Sequence, residues 1–247
     1  MKANSVFLTG GMSGLGLEIA KEIKEINPKS KIYTTCSKPA NAYPQKNQLI
    51  FELVIDETDL RSANKIDILL EAIENLSFDL IILNHNVSTY KKLSEKNPKE
   101  IEGEILANIL ASSLILNRLM KKNGPRDIIF ILSHICFMFN PGFSIYRASK
   151  SFLDSLSKNL AFEYPGINFI RAYPGAIDTN FQDNNNYNGL SIFKKSSANL
   201  IAKKILNSLT QKRDYICFRD RIIRFIDAIL PFSITKFLYK AIIKNEK

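Results

Sequence analysis

The sequence predicts an α/β protein with a three-layer, doubly wound fold, in which helices cover both faces of a mostly parallel sheet. Strand-like and helix-like apolar patterns alternate along the 247 residues, as they do in repeated β-α units. A hydrophobic content of 45% is enough to form one large core. No linker rich in Pro, Gly or Ser divides the chain. We therefore predict one domain over residues 1–218, with 219–247 as an amphipathic helical extension packed on it.

The individual elements follow from apolar periodicity. Short apolar runs predict seven strands, at Val6–Leu8, Lys31–Thr35, Leu49–Val54, Leu80–Leu83, Ile128–Leu132, Asn168–Ala172 and Tyr215–Phe218. Apolar residues recurring every three or four positions predict helices near 15–26, 61–75, 99–122, 144–163 and 197–210, with Ser196 or Ser197 capping the last. The polar run 182–189 has a composition prone to disorder, and it is either a mobile lid or a plain surface loop.

A glycine-rich turn joins the first strand to the first helix. It reads Thr9-Gly-Gly-Met-Ser-Gly-Leu-Gly16, directly after the apolar Val6–Leu8. Glycines permit a tight turn and a close backbone approach, and a helix N-terminus attracts negative charge. This arrangement is typical of a site for the pyrophosphate of a dinucleotide, although a Gly-rich turn can also be purely structural.

A second motif lies in the fourth helix. Tyr146 and Lys150 are four residues apart, so both side chains share one helix face, and Ser133 precedes Tyr146 by thirteen residues. An ammonium beside a phenol favours the phenolate, so we expect the Tyr146 pKa to be lowered toward neutrality. Such a tyrosine can donate or accept a proton in catalysis.

Taken together and in this order, the motifs resemble the short-chain dehydrogenase/reductase family in its compact single-domain form, over roughly residues 5–218. The resemblance implies a Rossmann fold with a seven-stranded sheet in the order 3-2-1-4-5-6-7. It also implies a catalytic set of Asn108, Ser133, Tyr146 and Lys150. The implied cofactor-binding residues are Thr9, Gly10, Met12, Ser13, Gly14, Leu15, Gly16, Ser37, Lys38, Asp56, Glu57, Asn84, Tyr146, Lys150, Pro174, Gly175, Ile177 and Thr179.

Specific roles follow from the same resemblance. Tyr146 would exchange a proton with the substrate oxygen, and Ser133 would hydrogen-bond that oxygen. Lys150 would also bind the nicotinamide ribose, and Asn108 would anchor a water that leads from Lys150 to solvent. Asp56 would accept from the adenine amino group. The Ile177 backbone and the Thr179 hydroxyl would hold the nicotinamide carboxamide.

The segment after the fourth strand departs from the family pattern Asn-Asn-Ala-Gly. It reads Asn84-His-Asn-Val87, so Val87 replaces a glycine, unless the register slides by one residue. We expect His85 to support or flank the site rather than transfer a proton. We expect His134, next to Ser133, to point away if Ser133 faces inward, because neighbours in a strand alternate.

The cofactor preference is read from the end of the second strand. An acidic residue there would bind the ribose 2′-hydroxyl of NAD. The sequence has Cys36, Ser37 and Lys38 instead, and the last two can bind a 2′-phosphate. NADP(H) is therefore favoured, with NAD(H) as the alternative. Met12 stands where NADP-binding relatives often carry a basic residue.

Composition excludes several other classes. The net charge of +10 comes mostly from lysines scattered over helix faces, so we expect no nucleic-acid partner and a solvated, anion-attracting surface. Three widely spaced cysteines predict free thiols and no metal site. We expect no signal peptide, because the first predicted strand begins within about five residues of Met1, and we expect no membrane span, because no apolar run is long enough. We expect a cytoplasmic protein.

The C-terminal residues 219–247 predict two short basic amphipathic helices, separated by Pro231. They either pack over the domain or the substrate pocket, contact another subunit, or lie on a membrane surface. By resemblance we expect a homodimer or homotetramer formed by helices such as 99–122 and 144–163. The substrate pocket would be lined by Asn140, Pro141, Phe143, the 180–195 loop and the tail.

Three functions are compatible with these motifs. The favoured one is an NADPH-dependent carbonyl reductase acting on a small molecule. The alternatives are an NAD-linked alcohol or sugar dehydrogenase and a dinucleotide-sensing regulator without chemistry. Retention of the Ser133, Tyr146 and Lys150 set argues against a sensor, which need only bind. Epimerisation of nucleotide sugars is disfavoured because such relatives usually have a longer chain.

Overall fold

The computed structural model describes residues 3–121, 124–139, 141–179 and 195–237, with the backbone alone at 218–220. The strands are β1 Ser5–Leu8, β2 Lys31–Thr35, β3 Leu53–Ile55, β4 Leu80–Leu83, β5 Asp127–Ile131, β6 Asn168–Tyr173, β7 Ile177–Asp178, β8 Ser196–Ser197 and β9 Tyr215–Ile216. The α-helices are α1 Gly14–Ile26, α2 Gln45–Gln48, α3 Ala63–Ile73, α4 Pro98–Ile105, α5 Ser112–Met120, α6 Ser144–Glu163, α7 Ala198–Thr210 and α8 Phe218–Ile229. Residues 232–237 are also helical.

Seven strands form one parallel sheet in the order β3-β2-β1-β4-β5-β6-β9. This confirms the predicted α/β fold and its 3-2-1-4-5-6-7 order, with β9 as the seventh strand. The reversal of order between β1 and β4 creates a crevice at the carboxyl ends of these strands, where doubly wound sheets bind ligands. The short strands β7 and β8 pair separately, a feature that the sequence did not predict.

The core has two layers, one on each face of the sheet. Phe7 and Ile81 belong to a cluster that includes residues of α3, α5 and α6, whereas Leu8 and Ile82 belong to a cluster that includes residues of α1 and α7. Because successive side chains of a strand point to opposite faces, a strand buried on both sides reads as a continuous apolar run. Leu80–Leu83 is such a strand.

Three predicted elements were wrong in part. The strand predicted at Leu49–Val54 is confined to Leu53–Ile55, and Leu49 is 80% exposed. The helix predicted at 99–122 is interrupted by a π-helical turn at Leu106–Ala111, between α4 and α5. The last strand ends at Ile216 because Phe218 already begins α8. The other predicted elements agree to within about two residues, a normal uncertainty for boundaries.

Ser197 caps α7, as predicted, and its hydroxyl accepts from the Leu200 N–H at 3.3 Å. The polar run 182–189 lies outside the described residues. Pro231 separates α8 from the helical residues 232–237, in agreement with the predicted break. In the described part of the chain, no helix is both long and apolar enough to cross a bilayer.

Candidate active site

The glycine turn between β1 and α1 has the geometry of an anion cradle. Gly10 and Gly14 have φ values of +68° and +54°, a region that favours glycine. A Cβ atom on Gly16 would lie 2.2 Å from the Gly10 carbonyl oxygen, so the turn and the helix pack too closely for any side chain there.

The N-terminus of α1 is open to a negatively charged group. Ser13 is the N-cap residue, but its side chain makes no capping hydrogen bond, and the first turn holds no acidic residue. The N–H groups of Gly14, Leu15 and Gly16 precede the first helical hydrogen bond, from Leu17 N to Ser13 O. These N–H groups and the positive end of the helix dipole suit a pyrophosphate.

A single hydroxyl, that of Thr9, ties the glycine turn to the segment after β4. It accepts from the backbone N–H groups of Asn84 and His85 at 2.9 and 3.1 Å, and it lies 2.8 Å from His85 Nδ1. The Asn84 amide donates to the Thr9 and Gly10 carbonyl oxygens, both at 3.1 Å. Thr9 and Asn84 therefore shape the turn, and Thr9, completely buried, contributes no exposed side chain to a ligand.

His85 is held as a neutral ring. Its Nε2 lies 2.8 Å from the Ala107 carbonyl oxygen, which can only accept, so Nε2 carries the proton and Nδ1 accepts from Thr9. Burial lowers the pKa of His85 to about 4, with the Ala107 hydrogen bond opposing and the nearby Lys150 charge adding to this effect. The contacts agree with the predicted supporting role.

Tyr146, Ser133 and Lys150 converge where β5 ends against α6. Ser133 follows β5, and Tyr146 lies in the first turn of α6. The side chains of Ser133 and Tyr146 are hydrogen-bonded to each other. The Asn86 side chain also hydrogen-bonds to Tyr146. The Lys150 Nζ lies 5.8 Å from the centroid of the Tyr146 ring and donates to the Ile131 carbonyl oxygen at 2.8 Å.

The expectation that Lys150 lowers the Tyr146 pKa toward neutrality was wrong for the protein alone. Burial raises the pKa of Tyr146 to about 12, and the hydrogen bonds from Ser133 and Asn86 offset only part of this rise. Burial also lowers the pKa of Lys150 to about 8. Desolvation is the largest cause of both shifts, since each group is almost completely buried.

Asn108 holds the segment that carries Asn86. It lies in the π-helical turn, and its amide both accepts from the Val87 N–H at 2.9 Å and donates to the Val87 carbonyl at 2.7 Å. It also donates to the Ser149 hydroxyl, next to Lys150, at 3.3 Å. Val87, which replaces the expected glycine, has an ordinary φ, so the valine causes no backbone strain there. π-turns often occur at functional sites.

The residues predicted at the adenosine end surround the end of β2. Ser37 and Lys38 are exposed, and Ser37 hydrogen-bonds to Tyr43. One oxygen of Asp56 accepts from the Ala40 N–H at 2.8 Å, and Glu57 has a φ of +49° with its carboxylate 3.9 Å from Lys65. The Met12 side chain is 1% exposed, so it lies in the interior rather than facing a 2′-phosphate.

The segment 174–179 forms the opposite wall. The Pro174 carbonyl accepts from His134 N at 3.0 Å, which places this segment beside Ser133. Ile177 pairs with Ser196 in the small sheet, and Gly175 lies between it and Pro174 in the chain. A Cβ on Gly14 would lie 3.5 Å from Thr179 Cγ2, so Thr179 lies over the glycine turn.

The alternation of side chains along a strand, from which we expected His134 to point away from Ser133, does not apply here. Ser133 caps a 3-10 turn, His134–Phe137, by accepting from the Ile135 N–H, so the chain is no longer a strand at His134 and its side chain does not alternate with Ser133. Phe143, predicted to line the substrate pocket, packs against Tyr146 with ring centroids 5.7 Å apart. Asn140 and most of the 180–195 loop lie outside the described residues.

A family model described as short chain dehydrogenase matches residues 4–188. The chain belongs to the short chain dehydrogenase family. The "Uncharacterized oxidoreductase YbbO" of Escherichia coli strain K12 is 29% identical over 188 residues, which is 74% of this chain and 69% of that protein. The "3-oxoacyl-[acyl-carrier-protein] reductase FabG" of Buchnera aphidicola is 28% identical over 239 residues, covering 87% and 93% of the two chains. A Burkholderia cenocepacia short chain dehydrogenase solved in complex with NADP has 18% identity, a TM-score of 0.75 and coverage of 95% and 96%.

Membership in the short chain dehydrogenase family confirms the resemblance and the prediction of an oxidoreductase of this type. Sequence reasoning missed Asn86, whose contact with Tyr146 brings together two residues far apart in the chain. It also missed that Asn84 and His85 hold the glycine turn through hydrogen bonds. The sequence Asn84-His-Asn-Val87 contained a signal for these roles, because three consecutive polar residues at the end of a strand suggest that they contact a site.

Proposed function

We propose that the protein interconverts a carbonyl compound and an alcohol by hydride transfer, with NADP(H) as the favoured cofactor. The observation that carries this proposal is the meeting of Tyr146 with Ser133 and Lys150 at the crevice where the strand order reverses. The glycine turn lies at the same edge of the sheet and has an uncapped helix N-terminus for a pyrophosphate.

A bound nicotinamide dinucleotide would supply or accept the hydride. The protein residues supply the proton and the electrostatics. In reduction, the Tyr146 hydroxyl donates its proton to the substrate oxygen as negative charge develops there, and the Ser133 hydroxyl donates a hydrogen bond to the same oxygen. The raised pKa of Tyr146, about 12, keeps its proton in place until it is needed.

Lys150 stabilises the phenolate that remains after this transfer. Its pKa of about 8 leaves it charged at neutral pH, and its ammonium lies beside the Tyr146 ring. We propose that Lys150 also binds the nicotinamide ribose. Asn108, joined to α6 through Ser149, holds the helix and the segment after β4 in register and anchors a water that returns the proton.

The replacement Tyr146→Phe tests this proposal. The variant keeps the ring and loses the hydroxyl, so we expect at least about a hundredfold loss of turnover with nearly unchanged NADPH binding in a fluorescence titration. Tyr164→Phe is the matched control, because Tyr164 directly follows α6 and is exposed, at the end of the helix away from Tyr146. Retained activity in Tyr146→Phe would refute the assignment. Cofactor binding without turnover in the parent protein, over a panel of carbonyls and alcohols, would favour the dinucleotide sensor.

We propose that Ser37 and Lys38 bind the 2′-phosphate of NADP(H). Both are exposed at the end of β2, where a carboxylate would repel a phosphate. The solved relative from Burkholderia cenocepacia, which shares the fold, contains NADP. Lys38→Asp should shift the ratio of NADPH to NADH affinity toward NADH by about tenfold or more. Lys29→Asp makes the same charge change at the other end of β2, and it should leave the ratio unchanged.

The NAD-linked dehydrogenase is the second candidate. It is favoured by Met12, which is buried and brings no positive charge to the glycine turn. An unchanged cofactor ratio in Lys38→Asp, together with tighter NADH than NADPH binding by the parent protein, would favour this alternative. The assay in both directions with each cofactor separates the two.

We propose a homodimer or homotetramer built on α5 and α6. Large apolar side chains are exposed on and near these helices, among them Leu110, Phe152 and Phe162. Such side chains are expected at a subunit contact. Light scattering after gel filtration gives the mass directly, and Phe152→Glu with Phe162→Glu should yield monomers. A parent protein that is already monomeric would contradict this proposal.

A further inference from the structure

A row of apolar side chains on α8 faces solvent. Ile222, Phe225, Ile226 and Ile229 recur at three- and four-residue spacing and therefore share one helix face. Exposed apolar side chains also follow Pro231, and Phe225, Phe232 and Phe237 are 66%, 63% and 70% exposed. We call the four α8 residues, together with Phe232, Ile234 and Phe237, the C-terminal apolar surface. Scattered exposed apolar residues are ordinary, but this many within one short segment indicate a binding surface.

The inward side of α8 explains why this face points outward. Ile223 packs against the main core cluster. The Arg224 guanidinium lies over the rings of Phe137 and Tyr173, 5.4 and 5.9 Å from their centroids. The helix thus directs a cation toward the domain, and its row of apolar side chains faces solvent. A helix that only packs onto a domain would bury its apolar row and expose its cations.

The charges around the C-terminal apolar surface identify its partner as anionic. Arg221 flanks the row on α8, and Lys236 lies between Phe232 and Phe237, with both side chains exposed. Residues 219–247 contain seven Lys or Arg and three Asp or Glu, and the whole chain has a net charge of +10. Aromatic and aliphatic side chains flanked by cations fit the boundary between headgroups and acyl chains of an anionic bilayer.

The C-terminal apolar surface adjoins the candidate active site. The rings of Phe232 and Phe139 are 5.5 Å apart, and Phe139 belongs to the segment that follows Ser133. The Arg147 guanidinium lies 4.5 Å from the centroid of the Phe139 ring, and Arg147 is next to Tyr146 in α6. A bilayer in contact with this surface would therefore lie beside the segment through which a substrate reaches Tyr146.

We propose that the C-terminal apolar surface binds an anionic membrane and that the enzyme reduces carbonyl compounds with long apolar chains dissolved in that membrane. The second half of this statement rests on the proposed oxidoreductase function, and the first half does not. The reaction is the one given above, with hydride from the cofactor and a proton from Tyr146 delivered to the carbonyl of the lipid-like substrate.

Vesicle binding tests the surface. The full chain is sedimented with vesicles of phosphatidylcholine and phosphatidylglycerol in equal parts, and with phosphatidylcholine alone. We expect binding to the first, weaker binding to the second, and loss of binding at high salt. The triple variant Phe225→Ser, Ile229→Ser and Phe237→Ser leaves the contact between Phe232 and Phe139 in place. It should bind at least about tenfold more weakly, because burial of these side chains in lipid is lost.

The matched control removes three exposed leucines elsewhere, Leu49→Ser, Leu93→Ser and Leu200→Ser, and should bind like the parent protein. Far-UV circular dichroism and the melting temperature of each variant establish that it is folded. A parent protein that stays in the supernatant overturns the inference. So does a triple variant that binds vesicles normally, or one whose only change is from dimer to monomer, because the surface would then contact a second copy.

Two substrates separate the failure of this inference from failure of the proposed function. A short, water-soluble ketone should be reduced equally by the parent protein and the triple variant. A long-chain ketone carried in the anionic vesicles should be reduced about tenfold more slowly by the variant, because its access depends on binding. Equal rates on the vesicle substrate overturn the inference and leave the function intact. Vesicle binding with neither ketone reduced overturns the function and leaves the surface intact.

Discussion

Lys150 is a buried cation, and replacing it with methionine tests the electrostatics of the site. The residue is 2% exposed, and its ammonium donates to the Ile131 carbonyl oxygen at 2.8 Å. Burial lowers its pKa from 10.5 to about 8. This lowering of the pKa corresponds to about 3 kcal/mol by which the folded protein disfavours the charged amine.

Methionine occupies a similar volume without a charge, so Lys150→Met removes this cost. It also removes the hydrogen bond to Ile131, which is worth about 1 kcal/mol. We expect the free energy of unfolding near neutral pH to rise by about 2 kcal/mol. Turnover should be lost, because the variant has no positive charge beside Tyr146.

The pH dependence gives a second, independent reading. The Lys150 pKa is lower in the folded than in the unfolded protein, so the unfolded state binds more protons between about pH 8 and 10.5. The free energy of unfolding of the parent protein therefore increases as the pH rises through this window. The difference in stability between Lys150→Met and the parent protein decreases over the same range. Urea unfolding at about pH 7 and about pH 10 measures both effects.

The control is Lys21→Met, which removes an exposed lysine paired with Glu18 and should change stability by less than about 0.5 kcal/mol at either pH. A Lys150→Met variant that is less stable than the parent protein near neutral pH refutes the reasoning. An advantage that persists undiminished at the higher pH refutes it equally.

Three further predictions concern polar groups that are largely buried. The pKa of His85 is about 4 in the folded protein and 6.5 in the unfolded protein, so the unfolded state binds more protons between these two pH values. Lowering the pH through this range should therefore lower the free energy of unfolding, by about 2 kcal/mol because the side chain is not completely buried. His85→Gln should flatten that part of the stability profile; a profile as steep as the parent's would contradict the assignment. Lys96→Met removes the cation that lies 2.5 Å from the buried Glu104 carboxylate, which keeps only its hydrogen bond from the Thr89 N–H. The variant should cost about 3–5 kcal/mol in urea unfolding, whereas Lys96→Met with Glu104→Leu should cost far less. Asn86→Ala removes a hydrogen bond that stabilises the phenolate, so the rise of alcohol oxidation rate with pH should move upward by about one unit, while Asn159→Ala should leave it in place. An unchanged profile in Asn86→Ala would remove Asn86 from the site.

The strands were predictable where their sequences are buried on both faces. Leu80–Leu83 and Lys31–Thr35 were placed to the residue because a continuous apolar or β-branched run has few alternatives. Leu49 was misassigned because its apolar character suggested burial, whereas the chain turns there and exposes it. The π-turn at Leu106–Ala111 leaves the apolar periodicity nearly intact, so periodicity alone does not reveal it.

The site was predictable in its helical part and much less so in its electrostatics. The spacing of Tyr146 and Lys150 gives their common face directly. Their pKa values depend on burial by residues from other elements, and that burial is a property of the tertiary structure. The same reason applies to Asn86 and to the ring of His85, whose partners are distant in sequence.

The Thr9 hydroxyl fixes one wall of the crevice, the wall formed by the ends of β1 and β4. Because this one oxygen binds two successive backbone N–H groups and faces a histidine ring, the ends of β1 and β4 are joined as a single block. The glycine turn therefore moves together with Asn84 and His85. Amide exchange at these two residues, whose N–H groups are held by the Thr9 oxygen inside the structure, should be slow compared with exchange at the exposed loop residues of the chain.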